Sequence, residues 1–153
     1  MRTVRDILKT KQKTFNFVSP HTLVIDALSM LNAVNLSYLI VMDEDQYKGI
    51  FSERDYSRNV ILKGRTSRTA TVQEVMTTDL PIMHLDQTLE DCMKTMLLNK
   101  TRYLLAFSTN GHFEGVVTIH DLLREVIANN KDDMFDTTTA EQLLNQDEGG
   151  YIY

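Results

Sequence analysis

Apolar positions along the chain follow two periods, which predict helices and strands in alternation. Over residues 22–34 they recur at helical spacing, and residues 38–42 form an apolar run of strand length. A polar, turn-rich stretch at residues 43–46 separates this run from a second one that ends near Ser52, so the two runs predict a hairpin. Residues 56–62 return to helical spacing, which predicts a helix directly after the second strand.

The same pattern occurs twice. Shifting the chain by 66 residues aligns residues 22–61 with residues 88–127 without a gap, and ten positions are identical. Average composition alone would give roughly two or three matches, so the chain is interpreted as an internal repeat. The identical pairs are Thr22/Thr88, Leu23/Leu89, Met30/Met96, Leu31/Leu97, Leu39/Leu105, Gly49/Gly115, Asp55/Asp121, Arg58/Arg124, Val60/Val126 and Ile61/Ile127.

Each copy is predicted to contain strand, helix, strand, strand and helix. The extended segments before the first helices are expected at residues 15–18 and 81–85, and a short leading helix is expected before each copy, at residues 4–8 and 72–76. Thr22 and Thr88 are predicted to be N-caps, the second with Asp91 at the N3 position. The fold class is therefore α/β (α+β), built from two β-α-β-β-α repeats.

Methionines and the single cysteine are interpreted as core residues. In the second copy the apolar positions of the first helix are Leu89, Met93, Met96 and Leu97, with Cys92 beside them. One cysteine excludes an intramolecular disulfide framework and a multi-thiolate metal site.

Length and composition fit a globular chain. The 153 residues are 42% hydrophobic and 24% charged, and no apolar run approaches the roughly 18 residues that span a bilayer. The N-terminus has no apolar signal-peptide core after its charged residues. We therefore expect a cytoplasmic protein without membrane association.

The net charge of -5 is unevenly distributed. Residues 1–70 carry 11 Lys and Arg against 7 Asp and Glu, whereas residues 71–153 carry 5 against 14. This balance disfavours duplex nucleic acid as a partner. Basic residues form two clusters, which are Lys9, Lys11 and Lys13, and Lys63, Arg65 and Arg68. Two interpretations of these clusters stay open: they belong to solvated loops, or they contact a small anion.

The most informative motif is Gly-apolar-apolar-Ser/Thr-x-x-Asp at the end of each hairpin. Ser52 with Asp55, and Thr118 with Asp121, have the spacing of a capping box, in which the hydroxyl and the carboxylate both bond to backbone N–H groups. The same groups suit a ligand, because a helix N-terminus attracts phosphate and a carboxylate accepts hydrogen bonds from a ribose diol. The structural and the ligand-binding interpretations are compatible.

Three cations accompany the motif. Arg54 and His120 directly precede the two aspartates, and Arg102 lies just before an apolar strand. Arg and His donate to phosphate, His only while it is protonated. Solvent-exposed positions are the alternative interpretation for Arg54 and Arg102.

No catalytic motif is present in the sequence. The four histidines lack metal-ligand spacing, and neither a Gly-x-Ser-x-Gly elbow nor a Gly-rich phosphate loop occurs. We therefore expect neither an enzyme nor a metal site, and no catalytic cofactor.

The repeat and its doubled motif resemble a tandem pair of cystathionine-β-synthase-type (CBS) domains. Residues 50–56, 62–67 and 72–77 are similar to stand-alone proteins with two such repeats. The resemblance implies a first repeat with its leading helix and linker over residues 1–68, a second repeat over 69–130 and an acidic tail over 131–153. It also implies one module with pseudo-twofold symmetry, two clefts between the repeats, and association of two modules as a homodimeric four-repeat disc.

The resemblance further implies a ligand. The clefts of the family bind AMP, ADP or ATP, and in some members NAD-type dinucleotides or S-adenosylmethionine. Asp55 and Asp121 would hold ribose hydroxyls, and Ser52 and Thr118 would cap the helices beside the phosphate. Arg54, Arg102 and His120 would contact phosphate. The remaining implied ligand-binding residues lie in loops, Thr77, Asp79, Leu80 and Pro81 for the second copy and Thr10, Lys13 and Phe15 for the first.

The sequence departs from the family at two places. Residues 102–106 read Arg-Tyr-Leu-Leu-Ala where many relatives carry Arg-His-Leu-Pro-Val, and His120 occupies a position that is often small. The tail over 131–153 has no counterpart in the repeat. Its alternatives are disorder and docking, either onto the basic clusters or onto a partner.

The leading functional hypothesis is a regulatory module that binds an adenine nucleotide and acts on an unidentified protein. A protein-interaction or dimerisation module without a ligand is the principal alternative; an enzyme ranks third and a nucleic-acid-binding protein fourth.

Overall fold

The structure is a computed structural model that describes residues 2–11, 16–34 and 36–129. Helices and strands alternate through this part of the chain. The helices are α1 Val4–Thr10, α2 Val24–Val34, α3 Glu53–Asp55, which continues as a π-helix over Tyr56–Ile61, α4 Val72–Val75, α5 Leu89–Asn99 and α6 Ile119–Asn129. The strands are β1 Phe17–Val18, β2 Tyr38–Asp43, β3 Gln46–Ser52, β4 Ile82–His84, β5 Tyr103–Phe107 and β6 Phe113–Thr118.

The described residues form two compact units, each built on one copy of the repeat. The first-copy unit comprises residues 16–79, and the second-copy unit joins residues 2–11 to residues 80–129. Each unit contains a three-stranded sheet, ordered β1-β2-β3 in the first and β4-β5-β6 in the second. In both sheets the first pair of strands is parallel and the second is an antiparallel hairpin. The predicted α+β class and the internal repeat are confirmed.

The core of each unit lies between its sheet and its helices. In the first-copy unit Val24, Leu39 and Phe51 are buried together with Val60 from the π-helix and Val75 from α4. Burial of an aliphatic side chain of this size stabilises a protein by about 1.5–3 kcal/mol, so the short helix α4 is held chiefly by its contacts with the core rather than by its own propensity.

The core of the second-copy unit is built from the strands and helices that correspond to those of the first-copy unit. Met83, Leu104 and Val117 from its sheet are buried with Val4 and Ile7 from α1. The helix α1 precedes the first copy in the chain but packs in the second-copy unit. The helix α4 precedes the second copy but packs in the first-copy unit. The compact units thus divide the chain differently from the sequence repeat, and residues 131–153 lie outside the described part.

One of the two predicted helix starts differs from the sequence expectation. Thr88 caps α5 with Asp91 at N3, as predicted, but α2 begins at Val24 rather than directly after Thr22. The reason is that Leu23 forms an antiparallel bridge with Thr71, which keeps its backbone extended.

Core prediction for α5 is largely confirmed. Cys92 is fully buried and Met96 nearly so, and burial raises the pKa of the Cys92 thiol to about 11, with Asp91 contributing in the same direction. Leu97, which belongs to the same apolar pattern, is 80% exposed. It follows Met96 by one residue, about 100° around the helix, and so points away from the core.

Candidate functional site

In the first-copy unit the candidate site is the junction between β3 and α3. The backbone N–H of Ser52 donates to Asp55 Oδ2 over 2.9 Å, and the Ser52 hydroxyl lies 3.1 Å from the same oxygen. In return, the Asp55 N–H donates to Ser52 Oγ over 3.4 Å. The predicted capping box is therefore present.

A third residue completes this junction. The Thr77 hydroxyl donates to Asp55 Oδ1 over 2.6 Å, and the backbones of Thr77 and Ile50 exchange hydrogen bonds of 2.8 and 2.9 Å. The close approach requires glycine in β3, because a Cβ at Gly49 would lie 2.7 Å from Met76 Sδ and 2.9 Å from the Thr77 carbonyl oxygen. The glycine of the motif thus admits the segment that holds Asp55.

The Asp55 carboxyl is buried, with 5% of the residue exposed. Desolvation raises its pKa above the ordinary value, while the hydrogen bonds from Thr77 and Ser52 and the charge of Arg54 act in the opposite direction. Asp55 is thus a hydrogen-bond acceptor held in a site where its negative charge is poorly solvated.

The second-copy unit has the same box at the junction between β6 and α6. Thr118 donates from its backbone N–H to Asp121 Oδ2 over 2.8 Å, and its hydroxyl lies 3.1 Å from that oxygen. The Asp121 N–H donates to Thr118 Oγ1 over 3.3 Å. Both residues are buried, so the two copies of the motif have the same local geometry.

The side chain that holds the second carboxylate is different. Lys11 Nζ lies 2.9 Å from Asp121 Oδ2 and donates to the carbonyl oxygen of Val116 over 2.7 Å. Arg124 NH1 lies 3.8 Å from Asp121 Oδ1. At Asp121 a cation therefore lies at the oxygen that the capping box also uses, whereas at Asp55 a neutral hydroxyl bonds to the other carboxylate oxygen.

Lys11 was not among the predicted site residues. The 68-residue spacing between the two leading helices would place Lys9 in the position of Thr77. However, α1 has seven residues whereas α4 has four, so the segment after α1 reaches the carboxylate later in the chain. Only the basic cluster in the sequence gave a signal for Lys11.

The structure divides the predicted loop residues between the two units. Thr77 and Asp79 belong to the first-copy unit, whereas Leu80 and Pro81 belong to the second. The prediction grouped Thr77 with the second copy, but its hydroxyl contacts Asp55 of the first. The physical reason is that α4 packs in the first-copy core and carries Thr77 with it.

The loop residues predicted for the first copy have other positions. Thr10 belongs to the second-copy unit, and its hydroxyl donates to the carbonyl oxygen of Ile7 over 2.7 Å, within the last turn of α1. Lys13 and Phe15 lie outside the described residues.

Predicted phosphate ligands lie at the same two junctions. Arg54 is exposed in the first turn of α3, and His120 is partly exposed in the first turn of α6. Arg102 lies at the N-terminus of α6, because its carbonyl oxygen accepts a hydrogen bond of 3.0 Å from the Ile119 N–H. His120 and Arg102 thus flank the N-terminus of an eleven-residue helix.

The sequence prediction also missed a contact that holds the leading segment of the second-copy unit. Arg2 Nε donates to Glu125 Oε2 over 2.8 Å, and Glu125 is buried in α6. At the matching position of the first copy, Asn59 Nδ2 donates to the Val75 carbonyl oxygen over 2.9 Å. Both contacts connect the helix after the motif to the leading segment, which carries Lys11 in the second-copy unit and Thr77 in the first-copy unit.

The described residues contain neither a metal-binding cluster nor a membrane-spanning helix. No group of three or more His, Cys, Asp or Glu side chains in residues 2–11, 16–34 and 36–129 is placed to hold a metal ion. Within the same ranges, no helix has the length and apolar character needed to cross a membrane.

The family model and the similar solved structures both point to CBS domains. The model of the CBS domain matches residues 4–61 and 72–128. A solved protein with CBS domains from Burkholderia ambifaria MC40-6 is 32% identical, with a TM-score of 0.76 over 87% of this chain and 99% of that one.

Two other similar proteins extend the comparison. CBSX2, solved in complex with AMP, is 27% identical with a TM-score of 0.69, over 84% of this chain and 98% of that one. The mitochondrial CBS domain-containing protein CBSX3 of Arabidopsis thaliana is 25% identical over 97% of this chain and 73% of its own length.

Proposed function

This chain belongs to the CBS-domain family, and we propose that it is a non-enzymatic regulatory module that binds an adenosyl nucleotide. AMP, ADP, ATP and NAD-type dinucleotides are the candidate ligands. The observation that carries the proposal is the pair of buried, capped carboxylates, Asp55 and Asp121, each at the end of a hairpin and the start of a helix. The AMP complex of the similar protein CBSX2 supports the choice of ligand.

The chemistry of the two junctions fits a ribose phosphate. A carboxylate accepts hydrogen bonds from both hydroxyls of a ribose, and its fixed orientation in the capping box lets it do so without further ordering. At Asp121 the N-terminus of α6 and the guanidinium of Arg102 would supply positive charge for a phosphate, and His120 would donate a hydrogen bond to it. In the first-copy unit Arg54 would take this role beside Asp55.

Regulation requires that the ligand binds one state of the module better than another. The carboxylates are held by residues that follow the leading helices, Lys11 after α1 and Thr77 after α4. A nucleotide that changes these contacts would therefore act on the position of a whole helix. We propose that a homodimer in the cytoplasm transmits this change to a regulated protein.

A second candidate function is ligand-independent protein interaction. Leu97 and Leu98 at the end of α5 are 80% and 84% exposed, and adjacent exposed leucines are typical of interaction surfaces. This candidate predicts stable association that does not respond to nucleotide.

Thermal unfolding with AMP, ADP, ATP, NAD and S-adenosylmethionine separates the two candidates. A ligand at about 100 times its Kd should stabilise the protein by about 2.7 kcal/mol. Asp55→Ala and Asp121→Ala should each reduce the response, whereas Asp91→Ala is the matched control, because it removes the same kind of cap from α5. Absence of a response in folded, ligand-free protein would refute nucleotide binding.

A further inference from the structure

The two candidate sites differ in the charge of the group that holds the carboxylate. Asp121 is paired with the ammonium of Lys11, whereas Asp55 accepts a hydrogen bond from the neutral hydroxyl of Thr77. The capping boxes are otherwise alike in their donors and distances. The two units should therefore respond differently to the charge of a ligand.

The oxygen that Lys11 contacts has no room for a further donor. Asp121 Oδ2 is approached by the Thr118 N–H, the Thr118 hydroxyl and Lys11 Nζ, at 2.8, 3.1 and 2.9 Å. A carboxylate offers about four lone-pair sites over both oxygens. A ribose diol that donates to both oxygens of Asp121 must therefore displace Lys11 from Oδ2.

Displacement of Lys11 takes the carboxylate of Asp121 away from a partly buried ammonium. The side chain of Lys11 is 26% exposed, and its ammonium also donates to the carbonyl oxygen of Val116. A cation removed from its carboxylate is destabilised unless another anion replaces it. A phosphate on the same ligand supplies that anion, and the flexible four-carbon stem of lysine allows the ammonium to follow it.

We propose that Lys11 is an exchangeable cation that makes the second-copy unit selective for phosphorylated adenosyl ligands. On binding, a ribose hydroxyl replaces the ammonium at Asp121 and the ammonium moves to the phosphate. Adenosine breaks the ion pair between Lys11 and Asp121 and offers the ammonium no new anion, whereas AMP offers it a phosphate. The first-copy unit lacks this device, because Thr77 gives up only a neutral hydrogen bond. This inference rests on the proposed nucleotide binding.

The two units can be followed separately by NMR in the intact chain. The backbone N–H groups of Thr118 and Ser52 each donate to their own carboxylate, so their amide signals report on the second-copy and first-copy units. Adenosine and AMP are titrated into wild type, Lys11→Met and Lys9→Met. Lys9→Met is the matched control, because Lys9 is an exposed lysine in the last turn of α1.

In the wild type we expect the Kd of AMP at Thr118 to be at least about tenfold lower than that of adenosine, the magnitude of one charge-assisted hydrogen bond. Lys11→Met should lower this ratio at Thr118 by at least about threefold, since the N-terminus of α6 and Arg102 still favour a phosphate, and it should leave the ratio at Ser52 unchanged. Lys9→Met should change neither ratio. Lys11→Gln keeps a donor for Asp121 without the charge, and it should lower the ratio at Thr118 as Lys11→Met does. It serves as the second variant if Lys11→Met is too unstable to titrate.

Three results would overturn the inference. These are an unchanged ratio at Thr118 in the charge-removing variants, an equal fall of the ratio at Ser52, or the same effect in Lys9→Met. A wild type in which neither amide responds to either ligand refutes the proposed function itself, and the exchange with it. A wild type that binds both ligands normally while the Lys11 variants keep its preference refutes the exchange alone.

Discussion

The hydroxyl of Thr77 lies 2.6 Å from Oδ1 of Asp55, although 22 residues separate them in the chain. This hydrogen bond joins the segment after α4 to the capping box at the end of β3. It satisfies a buried carboxylate oxygen, and such an oxygen is costly to leave without a donor. The contact is therefore expected to stabilise the first-copy unit as well as to orient the candidate ligand group.

Thr77→Val should lower the free energy of unfolding by about 1–2 kcal/mol, because it removes the donor and retains the shape of the side chain. Thr77→Ser keeps the hydroxyl and should lose less. Thr78→Val is the neighbouring control at an exposed position and should change stability by less than about 0.5 kcal/mol. Urea unfolding measures all three, and equal effects of Thr77→Val and Thr78→Val would contradict the role of this hydrogen bond.

Asp55 and Asp91 should give opposite pH dependences of stability, although both are N3 residues of capping boxes. Burial raises the pKa of Asp55 above its ordinary value of 3.8. The hydrogen bonds from the Thr88 backbone and side chain lower that of Asp91. The stabilising contribution of Asp55 is thus complete below the unfolded-state pKa and lost as pH rises through the higher folded-state value. That of Asp91 is present above the unfolded-state pKa and lost as pH falls.

Urea unfolding between pH 3 and 7 checks this contrast with Asp55→Asn and Asp91→Asn. The stability of the wild type relative to Asp55→Asn should decrease as pH rises, and relative to Asp91→Asn it should increase. Slopes of the same sign would show that burial does not dominate at Asp55.

Gly49→Ala should destabilise the first-copy unit by about 1–3 kcal/mol, because the added methyl group would overlap Met76 and the Thr77 carbonyl oxygen. The Met76 side chain can move, but the carbonyl oxygen belongs to the bridge with Ile50. Lys48→Ala at the exposed neighbouring position is the control. Thermal unfolding that shows no difference between the two variants would mean that the close approach of these segments is not required.

Two arginines of the leading segment should differ in their contribution to stability. Arg2 pairs with Glu125, whose side chain is 8% exposed, whereas Arg5 pairs with Asp86, whose side chain is 83% exposed. Arg2→Met removes this cation from a buried carboxylate and should destabilise the protein by about 1–2 kcal/mol, a modest value because the arginine itself is partly solvated. Arg5→Met should change stability by less than about 0.5 kcal/mol.

Chemical denaturation of both variants gives the comparison. A loss of stability in Arg5→Met as large as that in Arg2→Met would contradict the assignment of the stabilising pair to Glu125.

The sequence predicted the elements of the fold because local pattern determines them. Helical spacing, strand-length apolar runs and the doubled motif gave the hairpins and the helices after Ser52 and Thr118. The capping boxes were also predictable, since Ser52 with Asp55 and Thr118 with Asp121 interact within four residues of the chain.

The partners of the carboxylates were not predictable from the sequence in the same way. Lys11 and Asp121 are 110 residues apart, and the copy to which a leading helix packs depends on the tertiary structure rather than on local spacing. The different lengths of α1 and α4 further shifted the contact from Lys9 to Lys11. Long-range pairing of this kind leaves no periodic signal in a single sequence.

A crystal structure of the protein with AMP tests the central claim most directly. The account predicts AMP with its ribose hydroxyls about 2.6–3.2 Å from the carboxylate of Asp55 or Asp121, the range of ordinary hydrogen bonds. AMP bound with its ribose away from both carboxylates, or crystals that contain no AMP at saturating concentration, would contradict it.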